Sequence, residues 1–111
     1  MQRLPEDVKQ ICLWLARGYP RRVNEYRNAD SDERVREFER IEAVEQALIA
    51  VGQDVDAEEV RRQLRDAIML NVESGRRYPY EQLDLPGVSR ADFYRRKNRF
   101  LEDIAAWMGL A

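Results

Sequence analysis

The sequence predicts an all-α fold, a small helical domain that ends in a helix-turn-helix. Three observations predict it. Of the 111 residues, 36% are charged and 44% hydrophobic, with 5 Gly and 4 Pro, a composition that suits amphipathic helices rather than disorder or a strand-rich sandwich. Apolar residues recur at steps of three and four along most of the chain. Start and stop residues punctuate these runs at ordinary helix lengths. The length suits one domain, with residues 1–75 as a helical N-terminal part for interaction or oligomerisation and residues 76–111 as the helix-turn-helix part, the two forming one compact unit.

The first helix is expected to open at Pro5, whose missing N–H costs nothing at the first helical position, with Glu6 and Asp7 placed for the dipole and Gly18 as the stop. Val8, Ile11, Cys12 and Leu15 mark its apolar face, widened by Leu13 and Trp14. After Tyr19 and Pro20, residues 21–28 form a short helix with Val23 and Tyr26 turned inward. Asp30 or Ser31, with Glu33 beyond, caps a long helix whose stripe is Val35, Phe38, Ile41, Val44, Leu48 and Val51, ending at Gly52. Asp56 and Glu59 form a second capping box, and Val60, Leu64, Ile68 and Val72 extend a stripe to Ser74 and Gly75.

Much chemistry is excluded. One cysteine rules out an intramolecular disulfide, and the absence of histidine removes the usual zinc sites and every histidine-based triad. Cys12 lies on a helix face without an activating partner and reads as core. Glu102 and Asp103 are adjacent in sequence but diverge on a helix, so no carboxylate pair is offered for acid–base work. The expectation is no enzyme, no catalytic residue, no metal and no cofactor. No apolar run nears the roughly 18 residues that span a bilayer, and residues 1–9 are polar where a signal peptide would turn apolar, so no membrane association is expected.

The formal net charge of −2 hides an uneven distribution. Residues 31–74 carry six basic and twelve acidic side chains, whereas the segments on either side are each net basic. Asp32, Glu33, Glu37, Glu39, Glu42 and Glu45 fall largely away from the apolar stripe, several within reach of Arg36 or Arg40, as a solvated face would. The alternative is a partner surface that also repels phosphate from the wrong side. Residues 89–99 hold Arg90, Arg95, Arg96, Lys97 and Arg99 against Asp92 alone.

That basic run belongs to the most informative stretch. Leu83 and Leu85 come from a first short helix, Gly87 supplies the positive φ of a tight turn, Val88 packs beneath it and Ser89 caps the second helix, with Asp92 able to complete the reciprocal cap. Phe93, Phe100, Ile104 and Trp107, with Leu101 and Met108, continue the buried stripe. Arg90, Tyr94, Arg95, Asn98 and Arg99 then project from the remaining faces, where the residues nearest the N-terminus suit base edges in a major groove. Arg90 and Arg95 suit guanine and Asn98 adenine; Arg96, Lys97 and Arg99 suit phosphates equally, and Arg76 and Arg77 are further phosphate candidates. The expected ligand is double-stranded DNA. A lone helix-turn-helix binds weakly, which favours a homodimer.

Glu81, Gly87, Val88, Ser89 and Phe93 stand in the register of region 4 of sigma-70-type factors, which this segment resembles. The string Leu-Pro-Gly-Val-Ser-Arg (85–90) followed by Phe-Tyr-Arg-Arg (93–96), with the Tyr78-Pro79-Tyr80-Glu81 entry and the closing Trp107-Met108-Gly109-Leu110, looks most like the RinA and ArpU families of phage late-gene transcription regulators. The likeness covers roughly residues 76–110. Two positions depart from the pattern: Pro86 shortens the motif's first helix, and Gln82 replaces an aliphatic residue. The resemblance implies a regulator of a phage or prophage that binds a late promoter and activates it through host RNA polymerase in the bacterial cytoplasm. Two other readings stay open: a small-terminase-like DNA recogniser in packaging, and a helix-turn-helix that binds a sigma factor or regulator in place of DNA.

Overall fold

The computed structural model describes residues 4–28, 30–74 and 77–110, and the expectations that rest on Gly75, on Arg76 and on the side chains of Ser31, Glu33, Val35 and Arg36 lie outside the described residues. Five α-helices are present among the described residues: α1 (Glu6–Arg17), α2 (Tyr19–Asn28), α3 (Ser31–Ala50), α4 (Glu58–Ser74) and α5 (Arg90–Trp107), with one 3-10 turn at Tyr80–Gln82. The fold is all-α. No described helix is long and apolar enough to cross a membrane.

α5 is the central element. It packs between α1 and α3 and also touches α4, while α2 leans mainly on α3. Phe93, Phe100, Leu101 and Ile104 of α5 are buried against Cys12 and Leu15 of α1, Val44 of α3, and Leu64, Ile68 and Val72 of α4. The core therefore runs through both halves of the chain. Burial raises the Cys12 thiol above its ordinary pKa, as a core position would.

The helix ends differ from expectation in detail. Pro5 is the N-cap of α1 rather than its first residue (φ −54°, ψ 148°). α2 begins at Tyr19 with Pro20 in its first turn, where its ring removes no intrahelical bond. Gly18 alone joins the two helices, and its φ of −84° is right-handed. An added Cβ would stand 2.6 Å from Nη1 of Arg22, so a larger residue here requires the guanidinium to shift. α4 starts one residue later than a box at Asp56 requires, since the Arg61 N–H bonds to the Ala57 carbonyl at 3.1 Å. Glu59 then serves Arg62, whose Nε donates to Oε2 at 3.2 Å.

Several apolar residues assigned to buried stripes are solvent-facing. Phe38, Ile11, Trp14 and Trp107 are each about half exposed. A step of three residues turns 300°, falling 60° short of a full circle, so successive steps of three walk a stripe around the helix. From Val35 through Phe38 and Ile41 to Val44 every step is three, which leaves Phe38 off the face that Ile41, Val44 and Val51 bury. The same shift carries Ile11 and Trp14 away from Cys12 and Leu15. Trp107 is the last residue of α5, while Met108 beside it packs against the core as expected.

Arginines close the C-terminal ends of four helices. Arg22 Nη1 donates to the Leu15 carbonyl of α1 (2.9 Å), and Arg34 donates to the Tyr26 and Arg27 carbonyls of α2 (3.3 and 3.4 Å). Arg65 Nη2 reaches the Ile49 carbonyl of α3 (3.0 Å), and Arg17 Nε the Val72 carbonyl of α4 (2.9 Å). All donate to carbonyls of a last helical turn, which lack intrahelical partners and carry the negative end of the dipole. Arg22, not Val23 or Tyr26, is the buried residue of α2. Part of the chain's basic content is thus structural.

Candidate nucleic-acid interface

The segment leading into α5 is fixed by aromatic contacts. The Tyr80 ring lies 5.9 Å from that of Phe93, which meets Tyr94 edge-on at 5.1 Å. Tyr80 donates its hydroxyl to the Val88 carbonyl, and its own N–H bonds to Oη of Tyr94 (3.4 Å). Between them the chain reverses through left-handed residues, Asp84 at φ 49° and Gly87 at φ 81°. Gly87 takes the conformation its position predicted, and an added Cβ would meet nothing within 4 Å. Gly87→Ala is therefore expected to cost about 1–2 kcal/mol through the left-handed backbone alone, read as a lower urea midpoint with an unchanged m-value.

The first helix of the expected motif is reduced to the single 3-10 turn at Tyr80–Gln82, and residues 83–89 separate it from α5. Pro86 disfavours a helical Leu85, and the left-handed Asp84 breaks the chain before it. Ser89 caps α5 as predicted: its Oγ accepts from the Asp92 N–H at 3.1 Å. Rather than completing a reciprocal cap, the Asp92 carboxylate binds Arg95 and Arg96.

The candidate contact residues separate into two groups. Ala91, Arg95 and Asn98 follow one another on the exposed line of α5, with Arg99 beside them. The side chains of Arg90, Arg95 and Arg99 are 67%, 72% and 65% exposed. Each is held by one carboxylate: Arg90 by Glu81 (3.1 Å), Arg95 by Asp92, and Arg99 by Asp103 (3.3 Å). Asn98 is exposed and lines a shallow groove with Leu4, Glu6, Lys9, Leu101 and Glu102. Ser89 and Arg77 are exposed; Arg76 lies outside the described residues.

The second group faces the fold. Arg96 is only 16% exposed, donating Nε to Asp92 (2.9 Å) and Nη1 and Nη2 to the two oxygens of Asp54 (both 2.8 Å). Asp54 lies in the α3–α4 connection. This bidentate bond holds the Asp54 carboxyl down at about 2 and, with Asp92, raises the Arg96 guanidinium above its ordinary value. Arg96 also depresses Asp92. Lys97 is half-buried, and burial followed by the nearby Lys9 and Arg17 lowers its pKa. Tyr94 is half-buried as well, clamping the turn, with Arg90 5.0 Å and Lys97 5.9 Å from its ring. Arg96, Lys97 and Tyr94 are thus structural in position.

Asp54 and Glu81 are what residue reading missed at this site. Asp54 lies 42 positions from its partner and carries no local signal. They offset charge that the sequence assigns to the helix. Exposed ion pairs are worth only about 0–1 kcal/mol, so Arg90 and Arg99 can exchange carboxylate for phosphate or guanine at small cost. Among the described residues no three potential metal ligands come together. No known protein family, curated protein or solved structure matches this chain.

Proposed function

We propose that this chain is a sequence-specific double-stranded DNA-binding protein, a phage or prophage transcriptional regulator that acts in the host cytoplasm. The observation that carries the DNA reading is the exposed line of α5, where Arg95 and Asn98, flanked by Arg90 and Arg99, stand on the half of the helix nearest its capped N-terminus. Such a face fits a major groove, with Arg95 forked on guanine and Asn98 on adenine. The regulatory part, activation of late genes through host RNA polymerase, rests on the likeness of residues 76–110 to the RinA and ArpU type, and the homodimer on the weak binding of a lone helix-turn-helix.

Selection of the purified protein on a random duplex pool at about physiological salt tests the reading. One enriched motif is the expected result, and no enrichment contradicts it. Arg95→Ala is expected to lose about 1–3 kcal/mol of discrimination at one base pair, whereas Arg77→Ala weakens all sequences alike and lowers the salt slope by about 1. Equal binding of both variants and the unaltered protein would exclude this assignment. A second reading, binding of a sigma factor or regulator in place of DNA, is favoured by the carboxylate partner that each arginine of α5 already has. Sequence-insensitive binding would select it.

A further inference from the structure

We propose that Asp92, backed by the Asp54–Arg96 pair, positions the Arg95 guanidinium and thereby sets base discrimination at the base pair Arg95 meets. This deepens, and rests on, the reading of α5 as a DNA-reading helix.

The four side chains form a chain of contacts from the fold to the outermost arginine. Asp54 grips Arg96 with both oxygens, each at 2.8 Å. Arg96 in turn holds one oxygen of Asp92 through Nε at 2.9 Å, and the other oxygen of Asp92 takes Nη2 of Arg95. Ser89 fixes the Asp92 backbone through its N–H, and the bond from the largely covered Arg96 holds the carboxylate itself toward the fold, so Arg95 meets it there. A single bond at Nη2 leaves four of the five guanidinium N–H groups for another acceptor.

That constraint matters differently for the two kinds of acceptor on DNA. A phosphate takes an arginine from many directions, so its contact tolerates a mobile side chain. A guanine edge requires a fork presented in its plane to O6 and N7. Fixing the guanidinium therefore favours base reading over backbone binding, and the Asp92 charge further disfavours phosphate beside it. Asp54 then becomes a remote determinant of sequence preference, although it lies outside the segment that meets DNA.

The test runs the random-duplex selection in parallel on the unaltered protein, Asp92→Asn and Asp54→Asn, and then titrates each on the enriched duplex and its single-base variants. Thermal unfolding checks that each variant is folded, and Asp54→Asn keeps the test open should Asp92→Asn fail to fold. Arg95→Ala locates the relevant base pair. The expected result is a loss of discrimination at that pair alone, about tenfold for Asp92→Asn and smaller for Asp54→Asn, with tighter binding of Asp92→Asn to unrelated duplexes. If the unaltered protein enriches a motif and the variants discriminate as it does, or lose affinity for every sequence alike, positioning is overturned while DNA reading stands. If the unaltered protein enriches nothing, DNA reading falls and this proposal falls with it.

Discussion

Phe93→Ala is expected to lower the unfolding free energy by about 3–5 kcal/mol, the range for truncating a buried aromatic residue. Phe93 has no exposed surface and stands in the first turn of α5, in ring contact with both Tyr80 and Tyr94. Its loss opens a cavity where the 83–89 connection is anchored, so the platform that lets Tyr80 reach the Val88 carbonyl goes as well. Domains of this kind have about 5–15 kcal/mol in total. Urea unfolding measures the change as a lower midpoint at constant m-value. A loss below about 1 kcal/mol would mean that Phe93 is not the keystone of this end of α5.

Arg22→Ala is the second large effect, expected at about 3 kcal/mol. Arg22 is 2% exposed; it caps the Leu15 carbonyl, stacks 4.1 Å from the Trp14 ring centroid and lies 3.7 Å from Glu37. A hydrogen bond from a charged group contributes about 1.5–3 kcal/mol, and a cation–π contact to a half-exposed ring about 0.5–1. Burial opposes these gains: it depresses the guanidinium's pKa, and Nη2 is buried without a hydrogen-bond partner. Arg22→Met keeps much of the packing volume but leaves the Leu15 carbonyl and Glu37 without the guanidinium, so it should cost more than half as much as Arg22→Ala. A cost for Arg22→Met well below half that of Arg22→Ala, measured by urea unfolding, would place the stabilisation in the packing rather than the charge.

The contrast between those two residues also shows what sequence pattern can carry. Phe93 was legible because Ser89 fixes the start of α5 and Phe93, Phe100 and Ile104 keep to one face. Arg22 was not, since helical period assigns a face to every side chain but does not say which polar side chain a neighbouring helix will cover. Phe38 failed for a geometric reason, the drift of repeated three-residue steps. At the candidate site, the capping serine, the positive φ of Gly87 and the exposure of Arg95 and Asn98 all follow from local spacing. The inward placement of Arg96 and Lys97 does not, because their surroundings come from the α3–α4 connection and from α1. Pro86 did signal that the element before α5 would be short, and it is one 3-10 turn.

DNA reading by the exposed line of α5 is open to a site-resolved test, in which 15N-labelled protein is titrated with the duplex enriched from the random pool and the amide and arginine side-chain resonances are followed. Changes are expected to concentrate at Arg90, Ala91, Arg95, Asn98 and Arg99, with the acidic outward side of α3 around Glu42 and Glu45 unaffected. Changes centred on any other surface, with Arg95 and Asn98 silent, would contradict it.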